Sequence, residues 1–327
     1  MDGAAWRGCG LAALLLQAAA VAAAPFAYIT NQASHDVSVV DLASDRVVAT
    51  VPVGRSPAGV AVASRTARVF ISNPDSKTIS VIDMRRQQVI DTWAAGSGPV
   101  GIAVADDGAR LFVADWYSNR LLVYDTLAAR AEPPVAAIAV GRAPAGVAVL
   151  GSGPTVFVAE RDDDSVAIVD TAARRVRARV AVGSHPFALL HDAARQRVYA
   201  MNVQSNEVSV VDIRDLDQPR VIATVAVGKA PYGAALADGG RLLYVTNQHD
   251  DSVSVIDADT LRLQRTLTGF GYPEGVATHG DKVYVVNWMD DALSVLDARS
   301  GRVLATIATG RNSRGFGAFI GEAVSPP

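Results

Sequence analysis

Apolar and polar positions alternate along this chain in short runs that never lengthen into a helical stripe. One stretch shows the pattern: Val60–Ala63, Val69–Ser72, Thr78–Ile82 and Val89–Trp93 are four β-branched runs separated by Gly, Pro, Asp or Ser. Such runs predict strands joined by tight turns. No amphipathic run of ten or more residues follows residue 24, which excludes a helical solenoid.

The pattern repeats. An aromatic residue followed by two small or apolar ones and a polar one recurs seven times, from Tyr28-Ile29-Thr30-Asn31 through Phe70, Phe112, Phe157, Tyr199 and Tyr244 to Tyr284-Val285-Val286-Asn287, at spacings of 40–45 residues. Ten residues after each terminal polar residue stands an Asp, at 41, 83, 125, 170, 212, 257 and 297. Further on comes a Gly-x-x-Pro-x-Gly signature, intact at Gly54, Gly96, Gly141 and Gly228 and altered in the other copies, where Phe270, Ser313 and Ala188 replace one element each. Four short strands per unit and seven units predict an all-β, seven-bladed propeller of four antiparallel strands per blade. The recurrent residues have scaffold explanations. Asp at a strand end bonds the backbone two residues on, and the polar residue at 31 and its equivalents is expected to do the same. Pro and Gly shape the approach to a crowded axis.

The register also predicts how the ring closes. The chain begins at a second strand, Ala27–Thr30, and ends on an inner strand without a partner in its own repeat. Residues 316–320 are therefore expected to pair with the strands of residues 27–53, which removes two free sheet edges.

Residues 1–23 read as an address and not as part of the fold. Leu11–Ala24 is an apolar run of 14 residues interrupted by Gln17, short of the about 20 needed to span a bilayer. With Arg7 ahead of it and small residues at 22–24, it fits a secretory signal cut near Ala23, and a periplasmic or secreted location follows as an expectation. The chain then divides into 1–23, a single propeller of 24–320 and a flexible tail of 321–327. The one cysteine, Cys9, falls in the leader, so no disulfide framework or multi-thiolate metal site is expected.

Tyr244-Val245-Thr246-Asn247, the Ser-Val-Ile-Asp at 254–257 and Gly228-x-x-Pro231-x-Gly233 resemble the YVTN-type β-propeller repeat. The resemblance covers about residues 26–320 and implies an exported propeller of the YncE-like or surface-layer-protein type. Relatives of that type include proteins of unassigned role, some reported to bind nucleic acid, and more distant propellers include lactonases and lyases. The matching motif is scaffold, so no catalytic residue is carried over with it.

Function is then expected in the variable loops of one face. Arg55, Arg142, Lys229 and Arg311 stand one residue after the repeat Gly and are expected to face a common centre, with Arg314 near them. Trp116, Tyr117, Phe187, Tyr232, Tyr272 and Trp288 are aromatics that the repeat does not account for, in a chain only 6% aromatic. Together they suggest a channel-mouth site for an anionic or sugar-like ligand. The alternative is that the cations are rim residues balanced by Asp162–Asp164, Asp250-Asp251 and Asp290-Asp291. A protein partner at the same mouth is also open. A net charge of −3 argues against nucleic acid, and weak single-stranded nucleic-acid binding through basic and stacking loops is the lesser alternative. The five histidines show no metal-ligand spacing, and no cofactor motif is present, so neither metal nor cofactor is expected. A non-catalytic binding protein that works as a monomer is the first reading. A lactonase-like hydrolase or lyase using His185, His249 or Glu274 is the alternative.

Half the chain is hydrophobic, made largely of Ala and Val. Blades converging on an axis call for small side chains at the innermost strands and medium ones farther out, which accounts for that balance.

Overall fold

The structure, a computed structural model, describes residues 25–128 and 133–323. The leader, Cys9 and residues 324–327 of the tail lie outside the described residues. The rest forms seven four-stranded antiparallel blades around an axis, with an inner-to-outer order that follows the chain except where the C-terminal segment adds strands to blades 1 and 2. Blade 1 contains Phe26–Asn31, Asp36–Asp41 and Arg46–Pro52. Blades 2 to 7 span residues 59–94, 99–139, 144–181, 186–226, 231–268 and 273–308. Helix is confined to four single 3₁₀ turns among the described residues, and none there is long and apolar enough to cross a membrane.

The repeat consensus is packing. Tyr28, Phe70, Phe112, Phe157, Tyr199, Tyr244 and Tyr284 are all 0–1% exposed and fill the gaps between blades. The strand-end Asp residues accept from backbone N–H groups two residues on, as Asp41 does from Ala43 at 2.7 Å and Asp83 from Arg85 at 2.8 Å. At the axis the innermost strands approach so closely that a Cβ on Gly101 would collide with the Ala145 carbonyl.

The polar residue that ends each second strand works differently from the sequence expectation. Asn31, Asn73, Asn202, Asn247 and Asn287 do not cap their own turn. Each donates its side-chain amide to a serine seven residues on in the neighbouring strand, at 2.8–3.0 Å. Blades 3 and 4 lack that serine, with Leu122 and Ala167 in its place, and there the asparagine is replaced by Asp115 and Glu160. Asp115 accepts from Ser118, from Ser97 through both N–H and hydroxyl, and from Gly98 N–H, at 2.6–3.0 Å. Burial pushes the Asp115 carboxyl up, but these donors outweigh it and hold it below the ordinary range. Its contribution to stability is thus present at neutral pH and is lost as pH falls from about 3.8 through the lower folded value. Asp115→Asn is expected to cost about 1–3 kcal/mol, because Gly98 and Ser97 lose a charged acceptor and the new amide faces Leu122. The double variant Asp115→Asn with Leu122→Ser rebuilds the pair used in five other blades and should recover most of that loss in urea unfolding. No recovery would mean that the residue types do not substitute for one another in this way.

The ring closes through the C-terminal segment, by a more broken path than residues 316–320 as one strand. Ser313 and Arg314 pair with Asn31 and Thr30, and Ile320 and Gly321 pair with Ala27 and Phe26. Between them Phe316–Ala318 leaves blade 1 and runs parallel to Gly59–Ala61 of blade 2. Gly317 permits the excursion with φ +111°, a conformation closed to other residues. Phe319 returns fully buried to the core, its carbonyl accepting from Tyr28 N–H at 2.8 Å. Part of the expected tail therefore belongs to the fold: Gly321 is paired and Ala323 is buried.

Candidate functional site

Two sets of loops meet on one face, as the strand order requires. Except for the loop into blade 3, whose Ser97 and Gly98 N–H groups both bond Asp115 of the blade it enters, each loop that enters an inner strand is fastened twice, to the blade it enters and to the one before. Its second residue bonds the turn of the blade it enters, as Arg142 N–H to Asp163 at 2.7 Å, Lys229 N–H to Asp250 at 2.6 Å and Arg55 N–H to Ser76 at 2.6 Å. The residue before the Pro, or before Ser313 in the last copy, in the left-handed region at His185, Tyr272 and Asn312, bonds the turn of the previous blade, at Asp164, Asp251 and Asp291. The acidic turns are thus occupied with backbone amides. Among the described residues no cluster of His, Cys, Asp or Glu is arranged to hold a metal ion.

This network also decides where the four equivalent cations go. Arg142 lies against Asp163 at 2.7 Å and Lys229 near Asp250 at 3.8 Å. Arg55 donates to the Asp75 carbonyl at 3.0 Å and Arg311 to that of Ala33 at 3.5 Å. All four turn outward along the rim instead of facing a common centre, because the turn packed beside each supplies the nearest oxygens.

The centre is a depression of about 410 Å³ walled by other residues. Trp116, Tyr117, Phe187, Tyr232, Tyr272 and Trp288 line it, as does Arg314. Phe187 packs on Tyr232 at 4.6 Å and on Trp116 at 6.2 Å between ring centres, while Tyr272 packs on Trp288 at 5.5 Å. The Arg161 guanidinium sits 5.6 Å from the Trp116 ring. The floor is aromatic too. Phe316, carried by the excursion of the closing segment, meets Phe187 at 4.9 Å and Tyr232 at 5.7 Å. Tyr232 lines the depression and also the larger cavity of about 840 Å³ that opens to the other face, whereas Phe316 lines only the latter. These rings stand between the two cavities, and the depression forms a cup above them.

One charge pair is set into the cup. Arg314 Nη2 donates to Glu274 Oε1 at 3.1 Å, and its Nε stands 2.8 Å from Oε2 without its N–H pointing there. Gln248 Nε2 donates to the same Oε1 at 2.9 Å. The Glu274 side chain is 1% exposed, against 23% for Arg314, so the guanidinium covers the carboxylate and meets the cup. Burial pushes the Glu274 carboxyl up, against the pull of Arg314. Burial also opposes the Arg314 charge, but Tyr232 and Glu274 prevail and raise it.

Of the histidines named from sequence, His185 bonds Ser184 at 3.0 Å and does not line the cup, while His249 bonds the Tyr272 hydroxyl at 3.1 Å behind its wall. Sequence reasoning missed Gln32, Ser56, Asp75 and Gln248 in the lining. A positional signal points to most of the lining. The residue between Pro and Gly of the repeat signature faces the cup in six of seven blades, as Ala58, Val100, Phe187, Tyr232, Glu274 and Arg314. The residue after the strand-end polar position does so in five, as Gln32, Pro74, Trp116, Gln248 and Trp288.

A seven-bladed ring with this repeat defines a class of propeller. The chain matches the YNCE-like beta-propeller family over residues 61–155 and 138–320 and belongs to it. No curated protein matches its sequence significantly. Solved structures share the fold. Hydrazine synthase of Kuenenia stuttgartiensis is 21% identical with a TM-score of 0.73, over 83% of this chain and 92% of that one. A functionally unknown protein from Desulfotomaculum acetoxidans is 14% identical with a TM-score of 0.74, over 91% and 98%. Dihydro-heme d1 dehydrogenase NirN is 15% identical with a TM-score of 0.67, over 89% and 74%.

Proposed function

We propose that this protein is a binding protein that holds a small organic molecule in the cup, without chemical turnover. The observation that carries the reading is convergence. Six aromatic side chains that the repeat does not require, drawn from four blades, meet one guanidinium that is fixed from beneath, in a pocket of about 410 Å³. Apolar walls with a few placed polar groups are the form of a small-molecule site, and volumes of about 300–1,000 Å³ are usual for one. The four rim cations bond their own turns and do not line the cup, so a ligand there is recognised by stacking on the rings and by the polar groups of the floor. A fluorescence and thermal-shift screen against sugars, carboxylates, heterocycles and oligonucleotides tests this. A binder at 100 times its dissociation constant should stabilise by about 2.7 kcal/mol, and it should shift the emission of Trp116 and Trp288. Saturable stabilisation with unchanged tryptophan emission would place the site elsewhere.

One observation favours catalysis: Glu274 is a buried carboxyl of raised proton affinity inside the cup, within hydrogen-bond reach of Gln248. Against it, the carboxylate is shielded by Arg314 and no histidine lines the cup. A hydrolase would lose turnover in Glu274→Gln while still binding substrate.

A further inference from the structure

Resting on the cup as the binding site, the geometry points to one ligand class: a six-membered ring carrying a single carboxylate, either a sugar acid or an aromatic acid. Arg314 is the one guanidinium in the lining, and it is anchored over Glu274 by the Nη2 hydrogen bond at 3.1 Å and by the ion pair, with Nε 2.8 Å from Oε2. No hydrogen bond from Nη1 is formed within the protein among the described residues. A guanidinium fixed from below by a carboxylate offers its outer N–H groups in one direction, which suits a planar oxygen pair.

The second part is what limits the charge. Two carboxylates belong to the same lining, Glu274 beneath Arg314 and Asp75 on the exposed lip. Asp75 Oδ2 accepts from the Ser56 hydroxyl at 2.5 Å, which fixes its position without neutralising it. One cation is thus set against two anions. A single carboxylate gains charge-assisted bonds from the outer N–H groups of Arg314, whereas a dianion or a phosphate chain must also bring charge toward the Asp75 carboxylate on the lip, where no second cation of the lining answers it. None of the four rim cations belongs to the lining.

The third part is the body of the ligand. Trp116 and Phe187 stand on one side of the cup and Tyr272 and Trp288 on another. Rings of this kind receive either the apolar face of a pyranose or an aromatic ring. Gln32 and Gln248 stand among them, and the Gln32 amide oxygen already accepts from Trp288 Nε1 at 3.3 Å, which leaves its N–H₂ for a ligand hydroxyl.

The test is calorimetric titration of the full chain with D-glucuronate and benzoate, with glucose and benzyl alcohol as their neutral counterparts, and with phthalate and inorganic phosphate as probes of higher charge. At least one monocarboxylate should bind about tenfold more tightly than its neutral counterpart, the effect of one charge-assisted pair. Glucuronate alone would identify the sugar acid as the source, and benzoate alone the aromatic acid. Asp75 is exposed and its replacement leaves the core intact, so Asp75→Asn is the variant of choice. It should raise the affinity for phthalate relative to benzoate by severalfold. Neutral counterparts binding as well as the acids would overturn the ligand class and leave the cup as a binding site. Phthalate or phosphate binding more tightly than the monocarboxylates to the unaltered chain, or an Asp75→Asn ratio that does not change, would overturn it as well. Failure of every probe, neutral and charged, would overturn both.

Discussion

A chain that lacks residues 315–327 is expected to melt on the order of 10 °C lower than the full chain, since loss of one fully buried Phe already costs about 3–5 kcal/mol. The segment supplies that Phe as Phe319, along with the pairs of Ile320 and Gly321 to the first strand and the parallel pairing of Phe316–Ala318 to blade 2. Nothing covalent joins the last blade to the first, so these contacts latch the ring. Trimming residues 324–327 alone is the control, and it should leave the melting temperature unchanged. The truncated chain should also lose protection from hydrogen exchange at Tyr28, whose N–H bonds the Phe319 carbonyl. Equal melting of the two shortened chains would show that the latch lies elsewhere.

The second large effect is expected at the charge pair, and it is asymmetric. Arg314→Ala leaves Glu274, 1% exposed, as an uncompensated buried carboxylate, and should cost about 3–5 kcal/mol at neutral pH. Glu274→Ala leaves Arg314 with access to water, and should cost less. The pH dependence separates this explanation from a loss of packing. Without Arg314, burial alone acts on the Glu274 carboxyl, whose affinity for its proton rises further. In Arg314→Ala the folded protein then binds a proton that the unfolded chain releases. The penalty is full above the raised folded value and shrinks as pH falls toward about 4.5, where the unfolded carboxyl is also protonated. Replacing both residues by Met should recover most of the loss, because an apolar pair of similar size removes the desolvation cost altogether. Equal costs for the two single variants, or a penalty that does not change with pH, would contradict the burial argument.

Much of the fold could be read from residues whose roles are set by the repeat. Seven aromatics at a fixed place before a strand end and seven Asp residues ten positions after it leave one architecture open, and the four strands expected in blade 2 stand within a residue or two of those observed. The details that escaped depend on contacts between distant segments. Asn31 bonds Ser38 across a hairpin and not its own turn, and the closing strand is interrupted by Gly317 so that Phe316 can reach Phe187 and Tyr232. Local spacing carries no record of either.

The site was legible in its aromatics and not in its charges. Trp116, Phe187, Tyr232, Tyr272 and Trp288 stand out because the repeat does not account for them, and they do meet in one place. Arg55, Arg142, Lys229 and Arg311 also recur at one position, but there it is the backbone N–H that the turn of the blade captures, and the side chain follows it to the rim. The position three residues later, between Pro and Gly, is the one that points to the axis. Arg314 is a cation there, and Glu274 lies beneath it.

The central claim is that recognition resides in the cup and not in the rim. Titration calorimetry of the probes named above against two double variants tests it most directly. In Trp116→Ala with Trp288→Ala, the affinity of whichever probe binds the unaltered chain should fall at least about tenfold, given about 1.4 kcal/mol for each factor of ten and the size of the aromatic contacts removed. In Arg142→Glu with Lys229→Glu, which reverses two rim charges, the affinity should stay within about twofold. The opposite outcome, binding kept in the first variant and lost in the second, would place the ligand on the rim and contradict the account.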